Sequence, residues 1–115
     1  MRIALVNPIS RLNQGYHTIG TFIPQLGLQV LANLVPAEHT VDIIDEVFGP
    51  ECTTQRVRKA NYDLVAVTGY TSGATRAYEI AAQARSEGLP TIMGGPPASA
   101  MPDEAARLFV TVAIG

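Results

Sequence analysis

A chain of 115 residues with 47% hydrophobic and 16% charged side chains has the composition of one compact domain, not of a disordered segment, and at this length it buries a little over ~60% of its unfolded surface. A net charge of −2, with eight Lys plus Arg scattered along the chain, argues against nucleic acid as the main partner. No apolar run approaches the ~18 residues of a membrane span, and the lone Cys52 allows neither a disulfide framework nor a cysteine-built metal or iron–sulfur site within one copy, so the expected setting is soluble and cytoplasmic.

Arg2–Val6 reads as a first buried strand, ended by Asn7-Pro8. Residues 9–21 form a polar loop containing Gly15 and Gly20, long enough to suspect a function. Pro24 suits the first turn of a helix whose apolar stripe is Leu28, Leu31, Ala32 and Val35, and Pro36 closes it. Val41–Asp45 predicts a second strand and residues 51–60 a weaker helix, with Arg56, Arg58 and Lys59 in its last turns. Leu64–Thr68 is apolar on both faces, as a central parallel strand is. A helix follows from about Gly73 to Glu87, carrying Ala77, Ile80, Ala81 and Ala84 on one face and stopped by Gly88. Pro90–Met93 is a fourth strand, Pro102-Asp-Glu-Ala opens a short helix with its carboxylates at the positive dipole end, and Val110–Ile114 is a fifth strand.

Strands and helices alternate without linker or repeat, so right-handed crossovers predict an α/β, doubly wound, five-stranded parallel sheet of flavodoxin-like (Rossmann-like) type, in the order 2-1-3-4-5. In this topology a helix after the fifth strand would share one sheet face with the first helix. Its absence from the sequence leaves strands 3 to 5 with uncovered apolar side chains. The expectation is that the chain is the amino-terminal part of a longer protein, or else self-associates through that face.

Two loops stand out. Val67-Thr-Gly-Tyr-Thr-Ser-Gly73 and Met93-Gly-Gly-Pro-Pro-Ala-Ser99 are rich in glycine and hydroxyls, poor in charge, and each follows a strand and precedes a helical pattern. In parallel sheets such loops lie together on the carboxyl edge, where ligands bind. Thr68, Thr71 and Ser72 suit polar ligand atoms; helix capping by Thr71 or Ser72 would explain them equally well in isolation, and the second loop in register favours a ligand. Gly94-Gly95 allows close approach by a flat or bulky group; a rigid turn needing positive φ, backed by Pro96-Pro97, would account for a single glycine, and the pair favours a ligand. The first loop lacks both the G-x-G-x-x-G and the P-loop spacing, and Thr68-Gly69 stands where a phospho-accepting aspartate would be needed. His17 could ligate a metal, whereas a solvated histidine is the commoner case. His39 reads as surface; Asp45 and Glu46, at the ligand edge, could accept hydrogen bonds from a ligand but read first as a solvated turn; Arg76 and Arg85 fit the exposed face of their helix. Cys52 is reactive only if exposed with a lowered pKa. The chain has no paired acid and base, no activated nucleophile and no cluster ligands, so no catalysis is expected of it alone.

Three segments together resemble a known family: Pro24-Gln-Leu-Gly-Leu-Gln-Val-Leu-Ala-Asn-Leu34, Asp63-Leu-Val-Ala-Val-Thr-Gly-Tyr-Thr71, and Gly94-Gly-Pro-Pro-Ala-Ser-Ala-Met-Pro-Asp-Glu-Ala105. They are similar to the amino-terminal cobalamin-binding domain of cobalamin-dependent radical S-adenosylmethionine enzymes, which include methyltransferases and the anaerobic magnesium-protoporphyrin monomethyl ester oxidative cyclase. The resemblance implies cobalamin held base-off, the corrin over the carboxyl edge and the nucleotide tail inserted beside the strands. Thr68-Gly69-Tyr70 then stands for the S-x-L and Gly94-Gly95 for the G-G of the wider fold, with Asn7, Pro8, Thr71, Ser72 and Pro96 around them. Two departures matter. Gly15-Tyr-His17-Thr-Ile-Gly20 keeps H-x-x-G of the cobalt-ligating D-x-H-x-x-G but has glycine for the aspartate, and Pro97 replaces the frequent histidine after G-G-P. The family's catalytic barrel, with S-adenosylmethionine and a [4Fe-4S] cluster, is absent from this sequence, and the acidic run that follows the fifth strand in relatives would begin at Gly115. The alternatives are a flavin- or nucleotide-binding module and a ligand-free assembly domain.

Overall fold

A computed structural model describes residues 1–9, 26–70 and 73–114. The described elements are β1 (Arg2–Asn7), α1 (Leu26–Leu34), β2 (Thr40–Asp45), α2 (Thr54–Ala60), β3 (Leu64–Val67), α3 (Ala74–Ser86), β4 (Thr91–Met93), α4 (Pro96–Ala100), α5 (Pro102–Ala106) and β5 (Thr111–Val112). The five strands form one parallel sheet in the order β2-β1-β3-β4-β5, as the alternating pattern predicted.

Strand side chains alternate between the two faces. Val6, Ile44, Val65, Val67 and Met93 point to one side, where they meet Val57 of α2, Ala77, Ile80, Ala81 and Ala84 of α3, and Ala98, Ala105 and Phe109 of the segment that follows β4. Ile3 and Leu5 point to the other, against Leu28 of α1, with Ala32, Val35, Val41, Leu64 and Ala66 partly buried around them. The first face is fully roofed. On the second, α1 covers β1 and its flanks, and Ala66 and Ile92 remain only half-buried.

The helix ends follow local chemistry. Thr53 caps α2, its side-chain oxygen accepting from the Arg56 N–H at 3.1 Å, and Asn61 closes the helix at φ 59°. Thr53→Ala is expected to cost about 1 kcal/mol, read as a small fall in the thermal midpoint. Gly88, at φ 74°, terminates α3, with its N–H and that of Leu89 donating to the carbonyls of Arg85 and Ala84. One helix departs from expectation. Pro96-Pro97, within the stretch 93–99 read from sequence as a loop, opens α4, because proline is tolerated in a first turn whose N–H groups lack intrahelical partners.

At the amino edge of the sheet, Arg2 donates to Asp42 at 3.0 Å and to the Ala60 carbonyl at 2.8 Å, while the Tyr62 hydroxyl donates to Asp42 at 2.9 Å. Burial and that carboxylate together push the Tyr62 phenol up to about 12. Charge stitches this edge shut. The opposite edge is different.

Candidate functional site

Register builds the carboxyl edge. Val6 pairs with both Ile44 and Val67, Val67 with Met93, and Met93 with Val112. The next residue of each strand therefore falls on one row: Asp45, Asn7, Thr68, Gly94 and Ala113. By alternation, Thr68, Gly94 and Ala113 lie on the same face as Leu5, Ala66 and Ile92. That is the face α1 leaves partly open.

A groove of about 260 Å³ occupies this position. Its walls are Leu5, Ala66 and Ile92 of the strands and Gly27, Leu28 and Leu31 of α1, with Val67, Thr68, Gly94, Gly95 and Ala113 at the carboxyl edge. Small residues make the space: a Cβ on Gly27 would meet nothing within 4 Å, and one on Gly94 only the Ala113 Cβ, at 3.9 Å. The groove is apolar along its length, with a hydroxyl and backbone amides at its mouth. It falls just below the ~300–1,000 Å³ of pockets that enclose a whole drug-sized ligand, so it suits one flat apolar portion of a larger molecule.

The two loops singled out from sequence meet here. Gly95 sits at φ 88°, and a Cβ on it would lie 2.8 Å from Thr68 Oγ1 and 3.0 Å from the Gly69 carbonyl. Gly69, at φ 155°, has the Pro8 ring where its own Cβ would point, 3.3 Å away. Pro8, Gly69 and Gly95 thus lock the first, third and fourth strand ends together. Asn7 is buried and donates through Nδ2 to Asp45 Oδ1 at 3.1 Å, so its amide is committed to the protein. Tyr70 is 56% exposed beside these loops. Pro96 is the exposed first residue of α4. Thr71, Ser72 and His17 lie outside the described residues; among those described, no group of three or more His, Cys, Asp or Glu could hold a metal ion. Likewise, no described helix is long and apolar enough to cross a membrane.

Two expectations are corrected at this edge. Glu46 is not in a solvated turn and Arg76 is not on an exposed helix face; they are 4% and 2% exposed and pair with each other. Arg76 precedes Ile80 and Ala84 in steps of four, so helical geometry carries it onto the buried stripe. Burial works against ionisation of Glu46, but hydrogen bonds from Arg76 and from the Cys52 and Ile9 amides hold its carboxyl below the usual range. The Glu46 hydrogen bond, opposed by burial, raises Arg76 above its already high value. Cys52 is fully buried, and burial and then the Glu46 charge push its thiol up to about 11, the environment of an unreactive structural cysteine. Alkylation of native protein with iodoacetamide is expected to leave Cys52 intact, and labelling should appear only with unfolding.

Fold and edge together define a flavodoxin-like α/β domain whose carboxyl edge opens into an apolar groove flanked by glycine loops. The sequence matches the B12-binding domain family over residues 15–115, and the chain belongs to that family. Its cofactor is accordingly cobalamin. The chain is 36% identical over 90 residues to the bacteriochlorophyllide d C-8(2)-methyltransferase of Chlorobaculum tepidum, which covers 78% of this chain and 19% of that protein. It is 34% identical over 108 residues to an uncharacterized methyltransferase of Pyrococcus horikoshii, covering 90% of this chain and 23% of that one. The chain thus spans about a fifth of the length of these curated relatives. No solved structure matches it with significance.

The groove is compatible with the cofactor the family implies: an apolar slot with the Thr68 hydroxyl in its lining suits a flat apolar portion of a larger, partly polar molecule. Sequence reasoning found its Thr68 and glycine rim but missed Gly27, Leu31, Ala66, Ile92 and Ala113. Gly27 inside an otherwise apolar helical stripe was the available signal.

Proposed function

We propose that this domain holds cobalamin base-off, with the nucleotide tail in the groove between α1 and strands β3 to β5 and the corrin over the carboxyl edge. In this reading it presents the cofactor to the radical S-adenosylmethionine barrel, with its [4Fe-4S] cluster, of a longer methyltransferase. The observation that carries it is the groove itself: apolar walls, a Thr68 rim, and two glycines, Gly27 and Gly94, in its lining. The names and greater lengths of the two relatives support a methyltransferase as the whole protein.

Thr68 would bound the tail on its polar side, Ala66 and Ile92 would pack on its flat face, and Gly94 would leave room for it. The bound cofactor supplies a cobalt centre for methyl or electron transfer. What this chain does is bind, orient and exclude water on one side of that centre.

The test is an absorption spectrum taken after anaerobic incubation with hydroxocobalamin and desalting. Corrin bands retained at about one per chain, at base-off positions, support the reading. A folded, colourless protein overturns it, and bands at base-on positions overturn the tail placement. The same spectrum with His17→Ala asks whether that imidazole ligates cobalt: ligation requires the bands to shift.

A further inference from the structure

We propose that Glu46 and Arg76 form a buried positioning clamp that holds the loops of the cobalamin edge in place, an inference that rests on the cofactor reading above. Each carboxylate oxygen of Glu46 accepts two hydrogen bonds. Oε1 takes the Ile9 amide at 3.1 Å and Arg76 Nε at 3.0 Å; Oε2 takes the Cys52 amide at 2.7 Å and Arg76 Nη2 at 2.8 Å. Arg76 Nη2 also donates to the Cys52 carbonyl at 3.1 Å, and Nη1 to Glu79 at 2.9 Å. Glu51 lies 3.9 Å from the same guanidinium.

These partners come from four places in the chain. Ile9 follows the end of β1, Glu46 the end of β2, Cys52 stands before α2, and Arg76 lies in the first turn of α3, just behind the Thr68–Gly73 loop. All adjoin the carboxyl edge. None of the hydrogen bonds or ion pairs described for the pair reaches a residue lining the groove, so it acts through the backbone it anchors. General stability is a poor explanation for it. A buried ion pair recovers its desolvation only with excellent geometry, and an apolar pair of similar volume is often as stable. Arg76 also places a cation at the positive end of the α3 dipole, where acidic residues are favoured. A local rule broken on a ligand edge, with full hydrogen bonding around it, points to placement as its use.

The test compares wild type with Glu46→Gln, which turns one acceptor into a donor facing donors, and with the double variant Glu46→Leu/Arg76→Met, which removes both charges at similar volume. Amide hydrogen exchange, thermal midpoint and hydroxocobalamin affinity are measured on each. The clamp requires Ile9 and Cys52 amides to exchange at least about ten-fold faster while Val65 and Val67 stay protected, and affinity to fall about ten-fold or more in a variant that keeps its melting transition; loss of supporting partners at metal sites acts on this scale. Unchanged exchange at Ile9 and Cys52 in a folded variant overturns the clamp, as does loosened exchange with wild-type affinity. If Glu46→Gln does not fold, the double variant decides. Failure of wild type to bind hydroxocobalamin is a separate result: it sinks the cofactor reading and with it the ligand role of the clamp, while exchange still reports whether the pair holds the loops.

Discussion

Gly95→Ala is expected to lower the stability of this domain more than any other single-methyl addition at its ligand edge. At φ 88° and ψ −177° Gly95 occupies backbone space that is essentially reserved for glycine, and any other residue there is strained by about 1–3 kcal/mol. The added Cβ would also sit 2.8 Å from Thr68 Oγ1 and 3.0 Å from the Gly69 carbonyl. Thr68 could rotate its hydroxyl away; the Gly69 backbone cannot move without shifting the end of β3. The two effects together should exceed about 3 kcal/mol, in the range reserved for strain and overpacking, and so lower the thermal midpoint by more than ~10 °C for a domain of this size. Thr68→Ala in the same chain removes the nearest contact but neither the carbonyl nor the backbone strain, so it should restore only part of the loss. A Gly95→Ala protein melting within a degree or two of wild type would mean that the third and fourth strand ends are not packed as described.

The fold was legible because nothing in this chain contradicts its pattern. Apolar runs such as Leu64–Val67 suit central strands of a parallel sheet, here fully buried on one face and partly on the other, and each is separated from the next by a helical stripe that needs a sheet to lie on. Gly88 and Thr53 then mark helix ends by their own local chemistry. Two kinds of feature escaped. Pro96-Pro97 carries the signature of a turn, and only the position of those prolines within the first turn of α4 reconciles it with a helix. Glu46 and Arg76 look like surface charges because sequence gives each its own environment and not its partner: 30 residues separate them, and only the crossover from β2 through β3 to α3 brings them together. The groove was half legible for the same reason. Its rim lies in two continuous loops, whereas its walls alternate with core residues along three different strands, and which face α1 would cover is decided by topology.

The adjacent glycine separates packing from binding. Gly94 has ordinary backbone torsion, and its missing Cβ would meet only the Ala113 Cβ at 3.9 Å. Gly94→Ala should therefore fold at least as well as wild type, since a compatible alanine restricts the unfolded chain and is commonly worth about 0.4–1 kcal/mol. Gly94→Leu should also fold, but its side chain extends into a groove of only about 260 Å³ and takes up space the ring would need. Hydroxocobalamin affinity is expected to fall by at least about 100-fold, or ~2.7 kcal/mol, with the thermal midpoint of the cofactor-free protein held near the wild-type value. The opposite pairing of outcomes is what Gly95→Ala predicts, where stability is lost first and affinity only as a consequence. Wild-type affinity in a folded Gly94→Leu protein would exclude the groove as the seat of the nucleotide tail and leave the corrin contacts of the edge to account for binding by themselves.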